Sequence, residues 1–395
     1  MKVFLQARGS YETLLTLSKW SEQNDIERIG LPDHYIVGKQ RHDKNEPTPA
    51  LDLLTASAGL VRDTEKMVYS ILVSPITFRH PSVLVKMAST INDMAKGRFR
   101  LGVGTGWLEI EHDLYGIPFP DLKTRFEMLE ESLLYILAMA GKDILGSAQT
   151  GTGKTAAFSI PLIELILTSD TSMALVLTPT RELAKQVMEV ITSLLSDLNH
   201  INTACLIGGE QMTRQLKQLK KKPRIIVGTP GRINDHLDRK TLKLNQTNYV
   251  VLDETDRMLD MGFGIQIDSI LKFVPKTRQT LLFSATIPKE IEKLSSKYLT
   301  NPERVSVGAT NVVAPNIKHD ILKINQEAKY AELLEQVNER DGSLLIFVKT
   351  KHGTDKMAKN LSKDGFKSQS LNGNLRQSKR DKVMKDFRNQ KFRIL

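Results

Sequence analysis

Along most of the chain, short continuous apolar runs alternate with stretches of helical period. Apolar runs without polar alternation read as strands buried on both faces, and the helical stretches as layers covering a parallel sheet. In the first third, strands are expected at 2–5 and 28–31, with an amphipathic helix at 11–23 between them; the second strand leads into Pro32-Asp33-His34. A helix at 50–61, a strand at 67–73, a helix at 81–95 and a strand at 98–101 follow. The last of these enters Gly102-Val-Gly104-Thr-Gly106-Trp107, and a helix at 122–134 completes four β–α repeats. Further on, runs at 175–177, 225–228, 249–252 and 280–283 predict four more strands. Each releases polar residues at its carboxyl end, where open α/β sheets bind ligands.

One peptide narrows the chemistry. Ala148-Gln149-Thr150-Gly151-Thr152-Gly153-Lys154-Thr155 follows an apolar lead-in at 143–146 and opens a helical pattern at 156–163. That strand, loop and helix order is what a phosphate-binding P-loop requires. The glycines let successive backbone N–H groups and the helix N-terminus point at phosphates. Lys154 is then expected to reach the β- and γ-phosphates, and the Thr155 hydroxyl to ligate Mg²⁺. By itself the peptide also fits a glycine turn in an ordinary loop. The later strand ends carry Pro179-Thr180-Arg181-Glu182-Leu183-Ala184, Thr229-Pro230-Gly231-Arg232, Asp253-Glu254-Thr255-Asp256 and Ser284-Ala285-Thr286. An apolar strand delivering two adjacent acids, Asp253 and Glu254, points to a site rather than a plain turn.

With Gly208-Gly209, these motifs in this order resemble the DEAD-box family of ATP-dependent RNA helicases, from about 138 to 395. The resemblance implies an α/β fold with a RecA-like parallel-sheet domain at 136–307. An incomplete second RecA-like domain at 308–395 would follow, beginning with a linker at 308–316, with strands at 344–348 and 369–371 and a basic helix at 375–389. It implies that ATP and Mg²⁺ bind at Ala148 to Thr155 and Asp253, and that Lys154, Asp253 and Glu254 are catalytic. Asp253 would hold the Mg²⁺ shell, and Glu254 would orient or deprotonate the attacking water. Asp256, Ser284, Ala285 and Thr286 would couple the nucleotide state to RNA binding. Pro179, Thr180, Arg181, Gly208, Gly209, Thr229, Pro230, Gly231 and Arg232 would lie along an RNA backbone track. Arg181 and Arg232 also fit capped or solvated helix ends.

Three departures from the family pattern stand out. Thr255 replaces the alanine of the name-giving motif, for which a small local repacking is expected. The family's adenine-reading glutamine would fall near Glu131, so weak ATP binding is expected. The ATD…ARG and HRxGRxxR motifs, which supply arginine fingers, are not present, so impaired turnover is expected.

Residues 1–135 resemble a different family, the luciferase-like monooxygenases and their deazaflavin-dependent relatives. The resemblance rests on Leu31-Pro-Asp-His-Tyr35, Arg79-His80-Pro81, Lys96-Gly97-Arg98 leading into the glycine loop, and Glu111. Those enzymes are (β/α)₈ barrels with sites at the carboxyl ends of the strands. A partial (β/α) barrel is therefore expected, with a vestigial flavin-type site at Asp33, His34, Gly104, Gly106 and Trp107. His34 taken alone fits a satisfied loop histidine as well as a base. A dinucleotide fingerprint is excluded at Gly102-x-Gly104-x-Gly106, because a third glycine should come three residues after the second. A half-barrel leaves open sheet edges, and self-association through them is expected.

Charge agrees with this division. Residues 1–140 carry 16 Lys and Arg against 18 Asp and Glu, and the remainder carries 40 against 27. The whole basic excess thus lies in the later part, where it favours a polyanion such as RNA. Four lysines fall between Lys217 and Lys222, a run that also fits a solvated helix face. Two Trp and eight Tyr argue against extensive base stacking. One cysteine, Cys205, excludes a disulfide framework. No signal peptide is indicated, and the apolar run at 133–140 is too short to span a membrane, so a cytoplasmic protein is expected. The expected function is an Mg-ATP- and RNA-binding helicase. Its alternatives are a flavin- or deazaflavin-dependent oxidoreductase carried by the first third, and an RNA-binding protein without turnover.

Overall fold

The computed structural model describes residues 4–37, 48–148, 154–196, 198, 200–307, 318 and 320–395. Residues 2 and 3 of the first expected strand, Gln149 to Gly153 of the P-loop and the linker at 308–316 lie outside the described residues. The chain divides into two compact units: Met1–Leu206 with Gln218–Asn311, and Ile207–Lys217 with Val312–Leu395.

The first unit begins with β1 (Phe4–Gln6), α1 (Tyr11–Gln23), β2 (Arg28–Leu31), β3 (Ile36–Val37), β4 (Thr48–Pro49), α2 (Leu53–Asp63) and β5 (Val68–Pro75). It continues with α3 (Pro81–Met94), β6 (Phe99–Gly104), α4 (Glu109–Tyr115) and α5 (Leu122–Met139). Strands β1, β2, β5 and β6 form a parallel sheet in that sequential order, which is the curl of a partial barrel. Helix starts are fixed by side-chain caps: Ser10, Asp52 and Asp121 accept from the N–H of Thr13, Thr55 and Thr124. The core joins Ile29, Leu31, Tyr69 and Ile71 on the sheet to Leu14, Leu54, Leu60 and Leu84 on the helices. The sequence reading missed the β3–β4 hairpin and α4, and it ended α5 five residues early.

A second sheet is built from β7 (Ile144–Ala148), α6 (Lys154–Thr168), β8 (Met173–Leu177), α7 (Arg181–Leu194), β9 (Thr203–Leu206), α8 (Met212–Lys220) and β10 (Ile225–Gly228). Then come α9 (Pro230–Asp238), β11 (Thr247–Leu252), α10 (Thr255–Asp260), α11 (Gly264–Leu271), β12 (Gln279–Ser284), α12 (Lys289–Tyr298) and β13 (Glu303–Val307). Seven parallel strands run in the order β13-β7-β12-β11-β8-β10-β9. The central strands are apolar on both faces, and Leu145, Leu175, Val250 and Leu282 are fully buried. Helix α5 serves both sheets. Met128 and Leu129 pack on the first core, while α5 also lies against α6, β7 and β13. Gln279 Nε2 donates to Ala138 O and Lys142 O, both at 2.8 Å, tying the end of α5 to β12. Buried Asp143 accepts from Thr280 N–H at 2.7 Å and Thr300 N–H at 2.6 Å.

The second unit holds α13 (Lys329–Glu339), α14 (Lys351–Lys363) and α15 (Gln377–Arg388) around Val337, Leu361 and Ile394. The strands expected at 344–348 and 369–371 are reduced here to isolated parallel bridges, Leu344 to Ile394 and Ser368 to Ile394. Residues Arg393–Leu395 thus lie between the two earlier segments, bonded to both. So few pairings do not make a regular ladder, and Phe347 stays 95% exposed. Among the described residues no helix is long and apolar enough to cross a membrane.

Candidate active site

The polar motifs hang from the carboxyl edge of the seven-stranded sheet, held by backbone bonds that continue the strand register. Asp253 N–H donates to Leu177 O at 3.0 Å, Thr178 N–H to Gly228 O at 3.0 Å, and Thr229 N–H to Leu206 O at 3.1 Å. Strand β7 ends at Ala148, and Lys154 opens α6 with only 7% of its surface exposed. Thr155 follows, half-buried in the first turn. The five residues between, Gln149, Thr150, Gly151, Thr152 and Gly153, lie outside the described residues.

Asp253 is 3% exposed. Burial pushes its carboxyl up to about 6; the charge of Lys154 pulls it down, and Glu254 pushes it up again. A native pKa above the unfolded value of 3.8 gives stability that is fully present below that value and is lost as pH rises through about 6. The shift is worth up to about 3 kcal/mol. Asp253→Asn is therefore expected to melt at a higher temperature than the parent at pH 8 and near the same temperature at pH 4. Equal melting temperatures at pH 8 would show that the buried carboxylate carries no penalty.

Glu254 sits in the left-handed region at φ +49, a conformation costing a bulky residue about 1–3 kcal/mol. Its N–H donates to Asp253 Oδ1 at 3.0 Å, and its carboxylate meets Arg257 Nη1 at 3.2 Å. Thr255 is fully buried, and its hydroxyl donates to Leu252 O at 3.1 Å. The extra polar atom relative to alanine is satisfied without a new partner.

One carboxylate oxygen of Asp256 accepts from Ala285 N–H (3.1 Å), Thr286 N–H (3.0 Å) and Thr286 Oγ1 (3.1 Å). Ser284 Oγ donates to Thr286 O at 2.6 Å, closing the turn. The four residues expected to act together are therefore brought together.

Pro179 and Thr180 lie at the head of α7, where Thr180 caps Leu183 N–H at 3.2 Å and Arg181 starts the helix. Thr229, Pro230, Gly231 and Arg232 form the head of α9, with Arg232 Nε 3.6 Å from Asp235. Gly208 and Gly209 belong to the second unit, where Gly209 has φ +80, a glycine conformation.

The residues singled out in the first third also converge, at the carboxyl ends of β2, β5 and β6. Asp33 is 1% exposed and accepts from Ser74 Oγ at 2.7 Å and Arg79 Nη1 at 2.6 Å. Arg79 reaches Asp52 with its other nitrogen. His34 Nδ1 lies 3.0 Å from Glu111, which also accepts from Tyr35 N–H at 2.9 Å, and Trp107 packs edge-on 5.8 Å from the His34 ring. Gly104 ends β6 where a Cβ would come within 2.7 Å of Val73, and Gly106 takes φ +76. Arg79 and Glu111 entered the sequence reading only through a resemblance; as the charge partners of Asp33 and His34 they organise the cluster.

A parallel sheet with a buried lysine after β7 and two adjacent acids after β11, separated by β12 at one carboxyl edge, defines an α/β domain of the RecA-like kind. Residues 130–294 match the DEAD/DEAH box helicase family and residues 328–395 the helicase conserved C-terminal domain, while residues 3–161 match the luciferase-like monooxygenase family. Behind a luciferase-like amino-terminal segment, residues 130–294 and 328–395 carry the two domains of a DEAD-box helicase. The ATP-dependent RNA helicase CshA of Listeria monocytogenes is 41% identical over 261 residues, 66% of this chain and 50% of that protein. The DEAD-box ATP-dependent RNA helicase CshA of Bacillus cereus is 42% identical over 260 residues, 65% and 49%. The chain thus spans about half the length of the curated relatives it matches. The solved structure of a DEAD box protein from Methanococcus jannaschii is 39% identical and covers 67% of this chain and 72% of that one, with a TM-score of 0.44.

Proposed function

We propose that this chain is a cytoplasmic ATP-dependent RNA helicase-like protein that binds Mg-ATP at the carboxyl edge of the seven-stranded sheet and RNA alongside it. The observation that carries the reading is buried Lys154, after β7, whose charge acts on buried Asp253, after β11, at the same carboxyl edge with only β12 between their strands. In this reading residues 1–135 form a half-barrel, 136–307 the first RecA-like domain and 308–395 part of a second.

The donor set suits Mg²⁺ bound with a nucleotide. Among the described residues no cluster of three His, Cys, Asp or Glu forms a metal cage. Mg²⁺ in such sites takes one or two carboxylates, waters and phosphate oxygens, so Asp253 with Thr155 is sufficient. Held by Thr155 and Asp253, Mg²⁺ would supply charge neutralisation for the phosphates. Lys154 holds the same oxygens. Glu254, turned by its left-handed backbone, orients the attacking water and accepts its proton. Asp256 senses the outcome, because its carboxylate grips the Ser284-Ala285-Thr286 turn.

RNA lies along the heads of α7 and α9, contacted at Thr180, Arg181, Thr229 and Arg232. Arg232→Ala is expected to weaken binding of all single-stranded RNAs alike and to make the salt slope shallower by about one. Fluorescence anisotropy across a salt series checks this. A changed base preference with an unchanged slope would sink the backbone-track assignment.

A further inference from the structure

The opposite end of the seven-stranded sheet holds a cavity of about 580 Å³ that the motifs do not use. Its floor is apolar, formed by Met173, Leu219, Pro223, Ile226 and Leu242. These residues lie at or near the amino-terminal ends of β8 and β10 and before β11, a full strand length from Asp253. Basic residues ring the opening: Lys222, Lys240, Lys243 and Arg224, against one acid, Asp170. Arg224 is engaged, donating to Ser172 O at 3.0 Å and to Ser169 O. The three lysines are exposed and have no ion-pair partner among the described residues. Lys222 and Lys240 are held in the left-handed region at φ +51 and +55, in turns just after α8 and α9. The lysine run at 217–222, which also fits a solvated helix face, thus delivers one of its members to the rim of a cavity.

We propose that this cavity is a docking site for an acidic peptide segment carrying an aliphatic anchor side chain. Charge complementarity selects the sign, since the rim presents a net excess of unpaired ammonium groups. The floor selects the anchor. A nucleic acid base calls for an aromatic or guanidinium plane to stack on, whereas no aromatic ring lines this cavity and its one guanidinium is committed to backbone carbonyls. A leucine or isoleucine side chain fits an aliphatic floor and is buried by it, with flanking carboxylates meeting Lys240 and Lys243 in the manner of an anchored interface with a charged rim. Because the site lies at the end of the sheet away from Lys154 and Asp253, its occupant leaves the nucleotide edge free.

The test uses the full chain and two probes: a fluorescein-labelled acidic peptide with a central leucine pair, and single-stranded oligouridylate. The expected result is saturable peptide binding, weakened at least about tenfold by Lys240→Glu with Lys243→Glu and weakened comparably when serines replace the leucines. The same variant is expected to keep the RNA affinity within about twofold. A charge-matched pair on α15, Lys379→Glu with Lys382→Glu, is expected to bind the peptide as the parent does, and Lys240→Gly with Lys243→Ala reads the site without charge reversal. Absence of peptide binding would overturn the proposal, as would equal binding of the serine peptide. So would a loss confined to RNA, which would make the cavity rim part of an RNA surface.

Discussion

Lys154→Ala is expected to lower Mg-ATP affinity by about 10- to 150-fold, the range given by about 1.5–3 kcal/mol for a hydrogen bond to a charged group. The side chain is 7% exposed at the head of α6, so no water-exposed lysine conformer is being traded away. Its loss also removes the cation that draws the Asp253 carboxyl down, leaving that carboxylate harder to ionise and so a poorer metal ligand. Glu254→Gln separates binding from chemistry. It keeps the shape and the left-handed turn but removes the proton acceptor, so nucleotide binding should persist. RNA-stimulated phosphate release should fall by about 10²–10⁴-fold, the usual worth of a general base. Equilibrium binding of a fluorescent ATP analogue and a phosphate-release assay, run on both variants, read the two effects. Unchanged nucleotide affinity in Lys154→Ala would remove the assignment on which the functional proposal rests.

The largest stability loss is expected at Phe283, on β12 immediately before Ser284. Its ring is fully buried, lies 5.8 Å from that of Phe158 on α6, and roofs Gly146 on β7 so closely that a Cβ there would stand 2.6 Å from Cδ1. Phe283→Ala empties that space and is expected to cost about 3–5 kcal/mol. Gly146→Ala overfills it and is expected to cost about 1–3 kcal/mol. Because both changes act on one volume, the double variant should be more stable than the two losses summed, the methyl occupying part of the vacated ring position. Urea unfolding of the four proteins measures this. Strict additivity would mean that the two residues do not share a cavity.

The central strands were legible because a strand buried on both faces shows an unbroken apolar run, as Val250 to Leu252 and Leu281 to Phe283 do. The edge strands of the seven-stranded sheet were not. β13 reads Glu-Arg-Val-Ser-Val and β9 Thr-Ala-Cys-Leu, short runs mixing polar with apolar residues and without a distinguishing period. The P-loop and the paired acids carry local chemistry, so Lys154, Asp253 and Glu254 stood out directly. The grip of Asp256 on the turn ending at Thr286 spans 30 residues, and His34 meets Glu111 across 77. Links of that length leave no periodic trace, and only resemblance to families pointed to them. The anchoring of Thr280 and Thr300 by Asp143 left no signal at all, since a lone acid before a strand is common. The reach of α5 into the second sheet was missed for a related reason. Its last turns, from Leu134 to Met139, are apolar on nearly every side and lack the polar face that marks a helix on one core.

The family matches overlap across 130–161, where residues that complete one fold also begin the other. Helix α5 lies at that seam, and a helix transmits rotation where a flexible linker would absorb it. Each added residue turns everything before it by about 100° and advances it about 1.5 Å. One extra residue in the middle of α5 would swing Met128 and Leu129 out of their core while Leu134 stayed in place; seven, about two turns, would restore the phase at a spacing some 10 Å greater. The joint works as an angular key. Two unrelated sheets can be welded through one helix only at those few lengths that aim both apolar stripes at their own partners, so the reading frame of the seam also fixes its geometry.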